Sequence, residues 1–207
     1  YGGAVVHASY TNDPQYFGED DYDSSGTMVI GSVGSGSGRL KLEGDKRIGW
    51  ETITINTNGT LEVVEDTQLV NTAYAYPSTN ALFTLNNVNG TVQVNGSKDL
   101  TVSGGRFLQD NGLTWIIASA SLDVDDPTDY EDGSTNHVDN IYVSGGKVEL
   151  YEFSGFGAEG GDVRFDGADV EIHSPGSWTA GGNNYTGYAS IWAGMTSTVS
   201  FVGTGSD

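Results

Sequence analysis

The chain has 207 residues, of which 31 are glycine and none is cysteine, and its 28 acidic and 8 basic residues give a net charge of −20. The lack of cysteine excludes disulfides, zinc–thiolate sites and thiol catalysis, and the negative charge opposes binding to nucleic acid and to anionic membranes. The glycine content argues against a large helical bundle, because glycine is about 1 kcal/mol less favourable than alanine inside a helix. No apolar run reaches the roughly 18 residues that a membrane-spanning helix needs, so we expect no membrane insertion.

The first 25 residues differ in pattern from the rest of the chain. They contain the short apolar run Ala4, Val5 and Val6, and they end in an acidic stretch over residues 19–23. We predict that residues 1–25 form a segment that exchanges a strand with, or contacts, another copy. Residues 26–207 are predicted to form a single β domain.

Short strands follow in quick succession. Residues 27–30 are a plausible strand, and the glycine–serine run over residues 31–38 is typical of a loop or linker. Residues 39–43 and 51–55 alternate apolar and polar side chains with period two, which predicts two half-buried strands.

From residue 58 onward a turn-and-strand unit recurs. Asn58-Gly59 precedes the alternating strand over residues 61–63, and Asn89-Gly90 precedes the strand over residues 92–94. Asn and Gly tolerate the left-handed corner conformation, and inward side chains of stacked coils can pack on their equivalents above and below. We therefore predict an all-β fold, a right-handed parallel β-solenoid. An antiparallel β-sandwich or jelly roll is the alternative, because its hairpins also use Asn-Gly turns.

An acidic segment over residues 123–140 interrupts the pattern and is predicted to be a loop outside the stacked body. Calcium takes six to eight oxygen ligands, which closely spaced carboxylates on a loop can supply, although a solvated loop would have the same composition. The segment does not match the EF-hand consensus. The candidate calcium ligands are Asp123, Asp125, Asp126, Asp129, Glu131 and Asp132.

No catalytic constellation stands out in the sequence. His7, His137 and His173 contain no pair at metal-ligand spacing, and the glycine–serine run over residues 34–38 lacks the strand-to-helix context of a nucleophile elbow. With 28 acidic residues, some pair will match a glycosidase by chance. We therefore expect that the protein is not an enzyme.

Units in which a Ser-Gly-Gly turn is joined to a strand resemble the stacked repeats of bacterial extracellular β-solenoid proteins, namely autotransporter passenger domains and secreted β-repeat proteins with a C-terminal sorting tail. The resemblance implies an extracellular or cell-surface location and says little about chemistry. It is carried by residues 100–105, 141–150 and 160–172 and by the closing segments 178–186, 191–194 and 198–201.

These observations favour a structural surface protein that self-associates into a filament, sheath or matrix. The ends of a solenoid are open sheet edges, each of which must be capped or paired. The run from Ala4 to Ala8 could add as a strand to a neighbouring copy, and the strand containing Val199 and Phe201 could receive it. The alternatives are a calcium-dependent carbohydrate-binding or adhesive module and, less favoured, a polysaccharide-degrading enzyme. The many aromatic residues could stack on glycans or fill the core.

Overall fold

The computed structural model describes residues 4–9, 16–17, 27–32, 36–43, 46–49, 52–70, 83–103, 105–117, 119–125, 140–158, 161–173, 176–180, 183–193 and 197–202. All regular elements in these ranges are β-strands, which we number β1 to β23 in chain order. Over the same ranges, no helix has the length and apolarity needed to cross a membrane.

Twenty-one of these strands build three sheets, A, B and C. Sheet A contains, in spatial order, β1 (Ala4–Ser9), β4 (Gly38–Glu43), β7 (Gly59–Val63), β10 (Thr91–Val94), β13 (Leu113–Ile116), β16 (Lys147–Leu150) and β19 (Asp169–Ile172). Sheet B contains β2 (Tyr16–Phe17), β5 (Lys46–Gly49), β8 (Thr67–Val70), β11 (Asp99–Ser103), β14 (Ser121–Asp125), β17 (Gly155–Ala158) and β22 (Ser190–Ala193). Sheet C contains β3 (Thr27–Ile30), β6 (Thr52–Ile55), β9 (Phe83–Val88), β12 (Gly105–Asp110), β15 (Asn140–Val143), β18 (Val163–Asp166) and β23 (Val199–Val202).

The chain visits the sheets in the order A, B, C and then repeats, so that each group of three strands is one coil. We number the coils of the described residues 1 to 7. Neighbouring coils pair in parallel in all three sheets, which confirms the predicted parallel β-solenoid and excludes the antiparallel sandwich. The right-handed sense of the coil stays a prediction. Coil 7 also contains an antiparallel hairpin, formed by β20 (Gly176–Ala180) and β21 (Asn183–Gly187), between its sheet A and sheet B strands.

The coils alternate in length, which explains why the repeat looks irregular in the sequence. Paired residues of sheet A lie 21 or 22 residues apart in the short steps, from Gly38 to Gly59, Thr91 to Leu113 and Lys147 to Asp169. They lie 34, 31 and 34 residues apart in the long steps, from Ala4 to Gly38, Thr60 to Thr91 and Leu113 to Lys147. The register nevertheless continues from coil to coil, so the additional residues lie between strands.

Alternating burial places one side of each strand in a central core. Strand β9 has Phe83, Leu85 and Asn87 buried and the residues between them partly exposed. The parallel register then stacks inward residues into columns that run along the solenoid. One such column in sheet C contains Ile30, Ile55, Asn87, Gln109, Val143, Phe165 and Phe201.

The corner between sheet C and sheet A requires a left-handed backbone conformation in every coil where it is described. Asn58 and Asn89 have φ angles of 62° and 73°, as expected from the predicted Asn-Gly turns. At Gly146, with φ of 74°, an added Cβ would lie 2.1 Å from the carbonyl oxygen of Gly112. The sharp corner therefore needs Gly or Asn. The residues that supply it are Gly31, Asn58, Asn89, Asn111, Gly146 and Gly167.

A buried polar network joins three coils at the same corner. The Asn87 side chain donates from Nδ2 to Oε1 of Gln109 at 3.1 Å, and Thr114 donates its hydroxyl to the same oxygen at 2.6 Å. Gln109 Nε2 donates to the carbonyl oxygens of Gly145 and Lys147 at 3.1 and 3.2 Å. Gln109 therefore makes hydrogen bonds with both of its amide atoms inside the core, where an unsatisfied polar group is costly.

We predict that Gln109→Leu lowers the free energy of unfolding by about 3 kcal/mol, because it leaves the buried groups of Asn87 and Thr114 without this acceptor. Gln93→Leu is the matched control, since Gln93 lies partly exposed on sheet A and should change stability by no more than about 0.5 kcal/mol. Urea denaturation followed by circular dichroism measures both. Equal losses in the two variants would contradict a special role for the buried amide.

Candidate functional site

The residues predicted to mediate self-association lie on the edges of two different sheets. Ala4, Val5 and Val6 belong to β1, which pairs in parallel with β4 of the same chain and forms the first strand of sheet A. Val199 and Phe201 belong to β23, the last strand of sheet C, which pairs with β18. Both segments are therefore edge strands, and their contacts with another copy stay a prediction.

Only part of the predicted calcium segment lies among the described residues. Asp123 and Asp125 belong to β14, which pairs with β11 and β17, so the stacked body extends three residues further into the acidic segment than we expected. Ser121 donates its hydroxyl to Asp123 Oδ2 at 3.0 Å and to Asp99 Oδ1 at 2.8 Å. Asp126, Asp129, Glu131 and Asp132 lie outside the described residues. Calcium binding by this segment stays a prediction.

The inward-facing side of coil 7 is not covered by any element of the described residues. Its apolar side chains occupy the positions that are fully buried in coil 6, as the register of β19, β22 and β23 shows. Yet Phe201 is 63% exposed, Ile172 50% and Val199 37%. We call this surface the open face of coil 7. It consists of Val170, Ile172, Ile191, Ala193, Val199 and Phe201.

Phe201 is the last ring of an aromatic series that runs through the core. The rings of Phe107 and Phe156 meet edge to face at 6.0 Å, and those of Phe156 and Phe165 lie 5.9 Å apart. Phe201 stacks on Phe165 at 4.9 Å with an angle of 10° between the planes. One side of the Phe201 ring therefore packs on the core while most of the rest faces solvent. Complete burial of such a side chain is worth about 1.5–3 kcal/mol.

The outer side of sheet A carries the second candidate site, a row of ion pairs. Near the N-terminal end, Glu62 is buried and pairs with Arg39. Near the C-terminal end, Lys147 Nζ lies 2.7 Å from Glu149 Oε1 and 2.9 Å from Glu171 Oε2. The hydrogen bond from Lys147 lowers the pKa of Glu149, and the hydrogen bonds to both carboxylates raise the pKa of Lys147.

Aromatic side chains line the same part of sheet A. The rings of Trp115 and Tyr151 lie 6.1 Å apart, and the imidazole of His173 stacks on Tyr151 at 4.1 Å with an angle of 14°. Tyr151 donates its hydroxyl to Glu149 Oε2 at 3.3 Å. Two buried nitrogen atoms here, Nε1 of Trp115 and Nε2 of His173, have no hydrogen-bond partner. The surface thus offers stacking rings, carboxylates and unused polar atoms to a ligand.

Sequence reasoning did not bring these residues together. Glu149 and Glu171 are 22 positions apart, and only the register between β16 and β19 makes them neighbours. A signal was present, because Lys147-Val148-Glu149-Leu150 and Asp169-Val170-Glu171-Ile172 share one pattern at the spacing of a short coil. Aligning these two strands would have placed the carboxylates side by side, with His173 one residue beyond the second strand.

Comparison of the chain with protein-family models, with curated proteins and with solved structures found no match. The likeness to autotransporter passenger domains and sorting-tail β-repeat proteins therefore stays a prediction that depends on the repeat pattern. The open face of coil 7 and the outer side of sheet A are the two surfaces of the described residues whose chemistry bears on function.

Proposed function

We propose that this protein is an extracellular structural protein whose copies stack end to end into a filament, sheath or matrix. The observation that carries the proposal is the open face of coil 7, where side chains that belong to the core pattern are left in contact with solvent. Three parallel strand edges surround this face and offer unpaired backbone groups. A second solenoid end can satisfy both requirements at once, because it brings matching strand edges and apolar side chains.

A stack that keeps each sheet continuous has a definite strand pairing. β19 would pair with β1 of the next copy, β22 with β2, and β23 with β3. Phe201 would then continue the column that begins at Ile30, and Val199 the column that begins at Met28. In this arrangement Ala4, Val5 and Val6 lie beside β19 rather than β23, which differs from the pairing expected from the sequence.

The net charge of −20 opposes this association. Electrostatic repulsion between copies acts over the Debye length, about 10 Å in 0.1 M salt and about 3 Å in 1 M salt. Apolar contact acts at close range and is strengthened rather than weakened by added salts such as sulfate. Association through the open face of coil 7 is therefore expected to depend on ionic strength.

We predict that Phe201→Asp strongly reduces association, because it introduces a charge that cannot be buried in a stacked interface. Val29→Asp is the matched control: Val29 is 56% exposed on the side of sheet C, and its replacement adds the same charge away from the open face of coil 7. Sedimentation velocity and negative-stain microscopy measure the outcome. Polymers of normal length in Phe201→Asp would contradict the proposal, as would a wild-type chain that stays monomeric at high concentration and high salt.

Raising the salt concentration from about 0.1 M to about 1 M should shift the wild-type chain toward longer assemblies, because the repulsion between copies is screened. Light scattering as a function of salt measures the shift, and Phe201→Asp should show little of it. Dissolution of the assemblies by salt would indicate that ion pairs, rather than the apolar face, hold the copies together.

The aromatic residues on sheet A favour a second candidate function, that of an adhesive module that binds glycans on the side of the rod. Trp115 and Tyr151 present partly exposed rings beside the carboxylate of Glu149, and sugar recognition combines ring stacking with polar contacts of this kind. The calcium dependence expected for such a module stays a prediction, because four of its six candidate ligands lie outside the described residues.

If sheet A binds glycans, Trp115→Ala should abolish the signal on a glycan array, since it removes the larger of the two rings. Tyr142→Ala is the control, because Tyr142 is an exposed aromatic residue on sheet C. Retained binding in Trp115→Ala, or no binding by the wild-type chain across the array, would contradict this second candidate.

A further inference from the structure

Three side chains with metal-binding atoms converge on the outer side of sheet A. Glu149 lies on β16, Glu171 lies beside it on β19, and His173 follows directly after β19. One ligand atom from each of the three residues lies within 4.8 Å of the other two. Imidazole and carboxylate are both ligands of divalent transition metals.

The imidazole of His173 is held in place by its neighbours. It stacks on the ring of Tyr151, whose hydroxyl donates to Glu149, and the backbone nitrogen of His173 donates to the carbonyl oxygen of Leu150 at 2.9 Å. Its Nε2 atom is buried and has no hydrogen-bond partner. The geometry of a ligand that is oriented by a stacked ring and a neighbouring hydrogen bond is the preorganisation that metal sites use.

The distances within the cluster are too long for hydrogen bonds and suited to a bridging ion. His173 Nε2 lies 3.8 Å from Glu171 Oε2 and 4.0 Å from Glu149 Oε2. Two ligand atoms bound to one tetrahedral Zn²⁺ at about 2.1 Å are about 3.4 Å apart. The three atoms therefore need to approach one another by only a few tenths of an ångström, which small rotations of the glutamate side chains provide.

We propose that Glu149, Glu171 and His173 form a binding site for a divalent transition-metal ion, with Zn²⁺ as the representative ion, on the side of the solenoid. The histidine ligand selects against Ca²⁺, which takes oxygen ligands. This site is distinct from the calcium segment expected from the sequence and from the open face of coil 7. Solvent supplies the remaining ligand, because both glutamates and His173 are partly exposed.

Lys147 competes with the metal ion for the same carboxylates. Its ammonium group contacts Glu149 Oε1 and Glu171 Oε2, so it holds the two carboxylates together and occupies one of the oxygen atoms that the metal needs. The Lys147 side chain is 34% exposed and can turn toward solvent when the metal binds. Removal of the lysine charge should therefore strengthen metal binding rather than weaken it.

Isothermal titration calorimetry with Zn²⁺ on the full chain tests the site. The wild-type chain should bind one equivalent of Zn²⁺ that excess Ca²⁺ does not displace. His173→Ala and Glu171→Gln should each weaken the affinity by more than about tenfold, and Tyr151→Leu, which loosens the imidazole, by about tenfold. Lys147→Gln should strengthen it about fivefold.

Asp169→Asn is the control for the loss of one negative charge. Asp169 lies exposed on the same strand as Glu171 and outside the cluster, so its replacement should leave the affinity unchanged. Circular dichroism confirms that each variant is folded. Equal losses in Asp169→Asn and Glu171→Gln would mean that Zn²⁺ binds to the overall negative charge, and this would overturn the proposal. Unchanged affinity in His173→Ala, or weaker binding in Lys147→Gln, would overturn it as well.

Discussion

Parallel pairing in an unbroken register between neighbouring coils is the constraint on which the rest of this structure depends. The register places each side chain on its equivalent in the next coil, at the roughly 4.8 Å separation of hydrogen-bonded strands. Like chemistry therefore meets like chemistry. Inside, this produces columns such as the one that ends at Phe201. Outside, it would bring the carboxylates of Glu149 and Glu171 together at a cost, which the ammonium group of Lys147 offsets.

The same register explains what the sequence could and could not predict. Period-two alternation identifies strands locally, and the predicted strands over residues 39–43 and 51–55 are β4 and β6. The parallel solenoid followed from the Asn-Gly corners, and Asn58 and Asn89 have the left-handed conformation. Asn87 and Gln109 were not predicted to be buried, because polarity normally marks an outward position; only their even spacing from Phe83 and Phe107 indicates the inward side. The cluster at Glu149 requires a pairing between coils that no local pattern specifies.

The two surfaces of interest share one strand. In β19 the side chains of Val170 and Ile172 belong to the open face of coil 7, whereas Glu171, between them, faces the outside of sheet A. The alternation of a single strand thus separates the apolar contacts proposed for assembly from the polar contacts proposed for ligand binding. Substitutions can address one surface without altering the other, and a copy stacked on β19 would leave the side of the rod accessible.

The alternation of long and short coils has a consequence for display. In coils 1, 3 and 5 the chain leaves the body at the corner between sheets B and C, after Phe17, Val70 and Asp125, whereas in coils 2 and 4 it turns that corner within a few residues. The departure points therefore recur every second coil, about 10 Å apart along the axis. Segments attached there can vary in length and sequence without disturbing the pitch of the rod. A polymer of such rods would present them as a regularly spaced, multivalent array, in which weak individual contacts add up to strong attachment.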